Sequence, residues 1–344
     1  MSEKSGYLEN IQQSLDGIMN DFAEILPDGI STDATELGEK IGVEALLGEI
    51  ISIVTGQAGE LLSFLLFLFG IAVIYSVASL MEGGFRDISL AGISLLLSTF
   101  IFSKVYPVFL SVREAFSSLS AFFSGVIPVI ASYKALGGAT KEAGTGLFGM
   151  QMTLSVYSVF STSFLMTLVG LLFILGVLST LQSSGISSLY NGVKNLFTKG
   201  VGLLTALFGG TLALESYIAK AADSLTMRSA KYAMGSLIPI VGNTVSSALS
   251  TLSGGLSYLG GVIGVGSVLA ILSICLSPLI VLVMYKLCLF FVSSFLNIVG
   301  FNTVSVISAF SGIFDCLISV YSMTITIYIL EIVFFTMGGS GVGV

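Results

Sequence analysis

The feature that most restricts the fold of this chain is a series of long apolar runs, of which Leu61–Met81 is the clearest. This run contains no charged residue and has the length of a helix that crosses a bilayer. Backbone polar groups cannot stay unpaired in lipid, so such runs predict helices. Only 10% of the residues are charged, against about 25% in soluble domains. We therefore predict an all-α, polytopic transmembrane helix bundle over residues 61–337, with about six to eight spans.

Residues 1–60 form a separate, acidic region, with twelve Asp and Glu against Lys4 and Lys40. This lysine-poor flank predicts an extracytoplasmic N-terminus. A second amphipathic helix is expected over about residues 35–54, after a first one near the N-terminus. The first helix has an apolar stripe that predicts docking to a protein partner, with packing on the chain itself as the alternative. The stripe consists of Leu8, Ile11, Leu15, Ile18, Phe22 and Ile25.

Two similar segments predict an internal repeat of residues 113–215 and 228–337. FFSGVIPVIASYKALGG contains Pro128, and AMGSLIPIVGNTVSSALSTLSGG contains Pro239 and Gly242. We expect helix breaks at these three residues. Paired Pro and Gly interruptions are typical of repeat-built transport folds with a site at the repeat interface. Short matches of this kind also arise by chance in apolar chains.

Glycine pairs within the apolar runs are candidates for close helix packing. Gly260 and Gly264 have the GxxxG spacing that lets two helix backbones approach each other. Gly209 and Gly210 are further candidates of this kind. The glycine-rich residues 338–344 are expected to form a flexible tail.

A cluster of charged residues interrupts this apolar chain after residue 219. At 100° per residue, its members fall in one sector of a helix. An unpaired charge at bilayer depth costs roughly 2.5–3.5 kcal/mol. We therefore expect the cluster to pair internally or to face an aqueous cavity, with an ordinary interfacial loop as the alternative. The cluster consists of Lys220, Asp223, Arg228 and Lys231.

The same region carries a family resemblance. Residues 206–249 contain the pieces GGTLALES, AAD, AKYA and IPIVG, which resemble the signature region of the stage III sporulation protein AE family. Members are polytopic membrane proteins of endospore-forming bacteria. They usually begin with a hydrophobic export signal, and no such run precedes Leu61, so we expect a processed chain, a trimmed chain or a variant start.

The resemblance implies an integral membrane subunit of a channel or secretion-like complex that connects the mother cell and the forespore. It also implies the mother-cell membrane around the forespore as location, and a hetero-oligomer. The partners would be the other stage III sporulation A-operon membrane proteins and their ATPase, together with a forespore-side channel protein. The alternative is a stand-alone secondary transporter whose charge cluster binds a small charged solute.

The sequence lacks the patterns of common catalytic sites. It has no Walker loop, no nucleophile elbow and no HExxH. It contains no histidine, which is the commonest general base and metal ligand. Cys275, Cys288 and Cys316 stand singly in apolar runs and are expected to be small buried residues. Thirteen Lys and Arg are too few and too scattered for nucleic-acid binding. We expect no enzymatic activity, cofactor, metal or nucleic acid.

Overall fold

A computed structural model of the chain describes residues 17, 20, 21, 23–28, 30, 43–136, 140–178, 184–218, 262–298 and 305–337. The long segments among them are α-helices, and none of the described residues lies in a strand, which confirms the all-α prediction. A π-helical stretch, Phe160–Leu165, joins α3 to α4. The helices are α1 Val43–Ser79, α2 Gly84–Leu136, α3 Thr140–Val159, α4 Met166–Leu178, α5 Ser184–Ile218, α6 Val262–Ile298 and α7 Ser305–Met337.

Five stretches within the described residues are long and apolar enough to span a membrane. Gly149–Leu178 is one candidate span, and it contains the π-helical stretch. The predicted count of six to eight includes residues outside the described ranges, so it stays a prediction. The five stretches are Leu47–Ser79, Gly84–Ser132, Gly149–Leu178, Ile263–Ile298 and Val306–Val333.

Two boundaries predicted from the sequence are wrong. Helix α1 contains residues 43–54 of the expected amphipathic helix together with the span expected from Leu61, and it crosses residue 60 without a break. The expected helix break at Pro128 is absent, because α2 continues through this residue to Leu136. Pro128 removes one hydrogen bond to the Ser124 carbonyl, but both residues are exposed. The core contacts of Val126, Ile127, Val129 and Ile130 on either side hold the helix together.

Contacts between helices fix their directions. Lys104 of α2 pairs with Glu60 of α1, and Phe100 stacks on Phe64. Between these two contacts the residue number falls in α2, from 104 to 100, and rises in α1, from 60 to 64. Helices α1 and α2 are therefore antiparallel. The Tyr321 hydroxyl of α7 donates to the Cys275 carbonyl of α6. Together with the ion pair between Lys286 and Asp315, this contact shows that α6 and α7 are also antiparallel.

Helices α5 and α7 are parallel. Tyr190 contacts Ala309, and fifteen residues further along α5, Thr205 contacts Met323, fourteen residues further along α7. Helices α2 and α7 are parallel in the same way, through Phe116 with Tyr321 and Phe123 with Tyr328. Thus α2, α5 and α7 run in one direction, and α1, the α3–α4 pair and α6 run in the other.

Helix α7 is the centre of the bundle. In its most apolar stretch 83% of the residues are buried, against 28–50% in the other four candidate spans. It contacts α2, α3, α4, α5 and α6, with the largest interface to α6. The large side chains of Phe310, Phe314 and Tyr321 on α7 are fully buried. The bundle is therefore organised around its last helix.

The N-terminal segment folds back on the bundle. Ile25, Leu26 and Ile30 pack against the core. Ile25 approaches Gly125 of α2 so closely that a Cβ there would lie 3.0 Å from the Ile25 Cδ1. The last residue of the predicted docking stripe is thus in contact with the chain itself. The other five stripe residues lie outside the described ranges.

Candidate functional site

One polar stripe forms the accessible face of α7. Within the span Val306–Val333, six residues are not buried, and all six have polar side chains. They recur at spacings of three and four residues, so they lie along one side of the helix. At 1.5 Å per residue the stripe is about 27 Å long, close to the roughly 30 Å of the hydrocarbon layer. The α7 stripe consists of Ser308, Ser311, Asp315, Ser319, Ser322 and Thr326.

The composition of the α7 stripe is opposite to that of a lipid-facing surface. On other helices the exposed positions include large apolar side chains, such as Leu66 and Ile74 of α1 and Phe290 and Phe291 of α6. No large hydrophobic side chain of α7 is exposed within the described part of the chain. The stripe therefore has the composition of a surface that contacts polar groups or water and not lipid.

The stripe lies in a groove whose two walls are α5 and α6. Around the α7 axis, Ala309 and Met323, which contact α5, lie on one side of the stripe. Phe314, which stacks on Tyr285 of α6, lies on the other side. Asp315 is on the floor between the two walls.

Two of the five hydroxyl groups of the stripe donate to the backbone of the helix itself. Ser319 Oγ donates to the Asp315 carbonyl at 2.6 Å, and Thr326 Oγ1 donates to the Ser322 carbonyl at 2.8 Å. Such bonds to the preceding turn are common for Ser and Thr in helices. Each hydroxyl oxygen keeps acceptor capacity for water or a ligand.

An ion pair bridges the floor and the α6 wall. Lys286 Nζ lies 2.8 Å from Asp315 Oδ1 and donates to Ser311 Oγ at 2.6 Å and to the Ser311 carbonyl at 3.1 Å. These three acceptors use the three donors of the ammonium group. The Lys286 and Asp315 side chains are 23% and 39% exposed. The pair is therefore held in place but stays accessible from the groove.

The α5 wall brings a second lysine to the same level. The Tyr190 hydroxyl donates to the Ala309 carbonyl at 2.6 Å. A Cβ on Gly312 would lie 2.5 Å from the Tyr190 hydroxyl oxygen and 3.0 Å from Lys194 Nζ. The missing side chain at Gly312 thus lets two polar groups of α5 approach α7. Among the described residues, no carboxylate lies within 4.0 Å of Lys194 Nζ.

A second ion pair continues this polar layer across the bundle. Lys104 Nζ of α2 lies 2.8 Å from Glu60 Oε1 of α1. Tyr285, next to Lys286 in α6, packs edge-on against Phe64 at 4.9 Å, one helical turn from Glu60. Charged and phenolic groups of α2, α1, α6, α7 and α5 therefore lie in one cross-section of the bundle, although they come from residues 60 to 315.

The residues that the sequence analysis selected lie elsewhere or outside the described ranges. Gly209 is buried in α5 and Gly264 is buried in α6. Gly210 is exposed, and a Cβ at this position would meet nothing within 4 Å. The packing roles of these glycines stay predictions, as does the charge cluster. Outside the described ranges are Lys220, Asp223, Arg228, Lys231, Pro239, Gly242 and Gly260.

Sequence reasoning missed the α7 stripe, although a signal was present. Small hydroxyl residues and one carboxylate recur every three or four positions from Ser308 to Thr326 in an otherwise apolar run. The sequence analysis considered only how apolar the run is as a whole, so the periodic spacing of its polar residues was not detected. Lys194, Lys286 and Asp315 stand far apart in the sequence, so their proximity had no local signal.

The cysteines occupy apolar positions. Cys275 and Cys316 are buried, Cys288 is partly exposed, and all three are free thiols. No group of three or more His, Cys, Asp or Glu side chains within the described ranges has a geometry that could hold a metal ion.

The bundle and its internal polar layer define the class of this protein, a polytopic, all-helical membrane protein with a polar groove along its central helix. The model of the family described as stage III sporulation protein AE matches residues 27–339. The chain therefore belongs to the stage III sporulation protein AE family.

A curated relative supports this assignment. The chain is 23% identical over 168 residues to the stage III sporulation protein AE of Bacillus subtilis (strain 168). The matched region covers 48% of this chain and 42% of the relative, so the similarity extends over less than half of either protein. No solved structure matches the chain.

Proposed function

We propose that this sporulation membrane protein is an integral subunit of a trans-envelope channel or secretion-like complex that connects the mother cell and the forespore. Membership of the stage III sporulation protein AE family supports a role in sporulation. The observation that carries the channel role is the α7 stripe, a polar surface about as long as the hydrocarbon layer is thick. In the complex, this stripe lines a hydrated path.

The physical argument for water rests on the composition of the stripe. A carboxylate at the bilayer centre costs roughly 2.5–3.5 kcal/mol on insertion scales, and Asp315 is 39% exposed in the isolated chain. Lipid is therefore a poor neighbour for this face. Water, or a polar surface of another subunit that encloses water, satisfies Asp315 and the five hydroxyl groups together.

The location and partners follow from the family and are part of the proposal. The protein resides in the mother-cell membrane around the forespore, with its N-terminus outside the cytoplasm. It assembles with the other stage III sporulation A-operon membrane proteins, their ATPase and a forespore-side channel protein as a hetero-oligomer. It has no catalytic role of its own.

Cysteine accessibility tests the hydrated stripe. The native cysteines are first replaced (Cys275→Ala, Cys288→Ala, Cys316→Ala), and then Ser311, Ser319, Ser322 or Thr326 is changed singly to Cys in sporulating cells. The outer cell membrane is permeabilised so that charged methanethiosulfonate reagents reach the membrane around the forespore. The reagents should then label these four positions, because they react with thiols that water reaches.

The matched controls are Leu317→Cys and Val320→Cys, which face the packed core of the same helix and should stay unlabelled. Equal labelling of stripe and core positions, or no labelling of the stripe, would contradict a hydrated path along α7.

A second candidate function is a stand-alone secondary transporter. It is favoured by the partly exposed ion pair of Lys286 and Asp315 in the groove, because charged pairs at membrane depth often mark substrate or ion pathways. Reconstitution separates the two candidates. A transporter moves solute in liposomes that contain this chain alone, whereas a subunit of an assembly requires its partners.

A further inference from the structure

We infer that the groove between α5 and α6 contains a binding site for an anionic oxygen group, of the phosphate or carboxylate type, at Lys194. The site is distinct from the charge cluster predicted from the sequence. It goes beyond the proposed function, because binding at Lys194 does not require that the α7 stripe conducts. Three observations carry it: the charge balance of the groove, the hydrogen bonds of its two lysines, and the surface on which the groove opens.

The charge balance of the groove is positive. Lys194 on one wall and Lys286 on the other face a single carboxylate, Asp315, on the floor. Asp315 is already 2.8 Å from Lys286 Nζ and lies beyond 4.0 Å from Lys194 Nζ, since these two groups form no ion pair. One positive charge therefore has no counter-charge among the described side chains of the groove.

The hydrogen bonds separate the roles of the two lysines. Lys286 donates to Ser311 twice and pairs with Asp315, so its donors are occupied. Lys194 Nζ donates no hydrogen bond to a described residue, although it is held against Gly312 of α7. A half-buried ammonium with three open donors favours an anionic acceptor, since charge-assisted hydrogen bonds are the stronger ones. The Ser311 hydroxyl, which accepts from Lys286, lies in the same groove.

The position of the groove favours an anionic lipid headgroup as the source of this group. The outer faces of both walls are apolar, with Leu189 and Leu196 exposed on α5 and Leu287 and Phe291 exposed on α6. These faces point away from the groove, since Leu189 and Leu196 lie about 200–220° around α5 from Lys194. Lipid chains therefore surround the outer sides of the walls, and the headgroup phosphate alone enters the groove to reach Lys194. A free anion would instead enter along the polar stripe of α7. Both sources present the same oxyanion chemistry to Lys194, so the test must separate them.

The test uses the purified full chain in nanodiscs of three stated compositions. These are phosphatidylcholine alone, phosphatidylcholine with phosphatidylglycerol, and phosphatidylcholine with inorganic phosphate in the buffer at constant ionic strength. Thermal unfolding is followed by tyrosine fluorescence, because the chain has no tryptophan. Binding is measured with spin-labelled phosphatidylglycerol or with radioactive phosphate.

The lipid should raise the unfolding temperature of the wild type, and Lys194→Met should weaken its binding by about tenfold or more, as expected for the loss of a charge-assisted contact. Lys194→Arg should retain binding, which controls for misfolding. Lys199→Met, on the exposed side of α5, is the matched control and should bind like the wild type. Asp315→Asn removes the competing carboxylate and should tighten binding.

Each result has a defined meaning. A response to phosphatidylglycerol alone assigns a lipid headgroup to the site, and a response to inorganic phosphate in phosphatidylcholine assigns a free anion. Both support the anion site. Absence of binding by the wild type in both arms, or equal loss in the Lys194→Met and Lys199→Met variants, overturns it. The cysteine labelling of the α7 stripe is independent of all these results.

Discussion

Gly312 controls how closely the α5 wall approaches the central helix. The Tyr190 hydroxyl and the Lys194 ammonium both occupy the space where a side chain at position 312 would begin. The Lys194 end is flexible and can move aside, but the Tyr190 hydroxyl is fixed by its bond to the Ala309 carbonyl. A glycine in a helix of this kind marks a close contact rather than a weak point in the helix.

We therefore predict that Gly312→Ala destabilises the protein by about 1–3 kcal/mol, the usual cost of overpacking. The measurement is thermal or denaturant unfolding in detergent. In a Tyr190→Phe background the same substitution should cost less, because the phenylalanine leaves room for the new methyl group. The double-mutant cycle then gives a favourable coupling between the two changes.

Gly192→Ala is the matched control, since a Cβ at this exposed position of α5 meets nothing within 4 Å. It should leave stability unchanged or raise it by up to about 1 kcal/mol, because alanine favours a helix over glycine. Equal effects of the two alanine substitutions, or no coupling to Tyr190, would show that Gly312 is not a close contact.

Among the helices, the parallel packing of α5 on α7 determines which residues form the groove. Partners on the two helices differ by 118 or 119 in residue number, from Tyr190 with Ala309 to Thr205 with Met323. This constant offset keeps Lys194 at the level of Gly312 and Asp315. A shift of one turn, about 5.4 Å, would move Lys194 away from the ion pair.

A cross-link tests this register. In the cysteine-free background, Thr205→Cys with Met323→Cys should react efficiently with a short bifunctional thiol reagent, because the Thr205 Oγ1 and Met323 Sδ atoms are 3.6 Å apart. Peptide mass spectrometry identifies the product. Thr205→Cys with Ser308→Cys is the control, since position 308 lies about 22 Å from position 323 along α7. Efficient cross-linking of the control pair would rule out the parallel register.

The same packing bears on the predicted internal repeat. The repeat hypothesis treats α5 and α7 as corresponding helices of two halves. If the halves correspond, their parallel directions require a repeat related by an axis along the membrane normal, because an inverted repeat would make corresponding helices antiparallel. The repeat itself stays a prediction, since much of the second segment around Pro239 lies outside the described ranges.

In the bundle as a whole, the helix directions place the connections between helices at two opposite ends. The turn after α1, which contains Glu82, lies at the same end of the bundle as Ser184 and Ser305, where α5 and α7 begin. Leu136 and Thr140, around the α2–α3 connection, lie at the opposite end. So does Met337 at the end of α7.

We expect single cysteines at Glu82, Ser184 and Ser305 to respond alike to a membrane-impermeant maleimide. The reagent is applied to intact protoplasts of vegetative cells induced to express the chain, in which the extracytoplasmic side faces the medium. Cysteines at Thr140 and Met337 should respond in the opposite way. With the proposed extracytoplasmic N-terminus, the second group is labelled and the first is protected until the cells are opened. A mixed response within either group would contradict the helix directions.

The absolute orientation depends on two opposing charge signals. The acidic residues 1–60 favour an external N-terminus, whereas Lys134 and Lys141, beside the α2–α3 connection at the same end, favour the cytoplasm under the positive-inside rule. Reversed labelling of both groups would overturn the proposed orientation and leave the fold intact.

The class of fold and the family could both be predicted from the amino-acid sequence. Long runs such as Leu61–Met81 require helices in lipid, and that requirement is local, because a helix satisfies its own backbone hydrogen bonds. The family likewise follows from contiguous residues that a sequence comparison can read. Helix boundaries were less secure, because the packing around Pro128 outweighed the local preference for a break.

In contrast, only the packing of the helices shows that the polar side chains of the groove lie close together. Which face of α7 is accessible depends on the helices that cover its other faces. Those contacts join residues 25 to more than a hundred positions apart. Hydropathy measures how apolar a run is but not what surrounds each side of it. For this reason Ser311, Asp315 and Lys194 look like isolated polar residues in the sequence, whereas in the folded chain they line one groove.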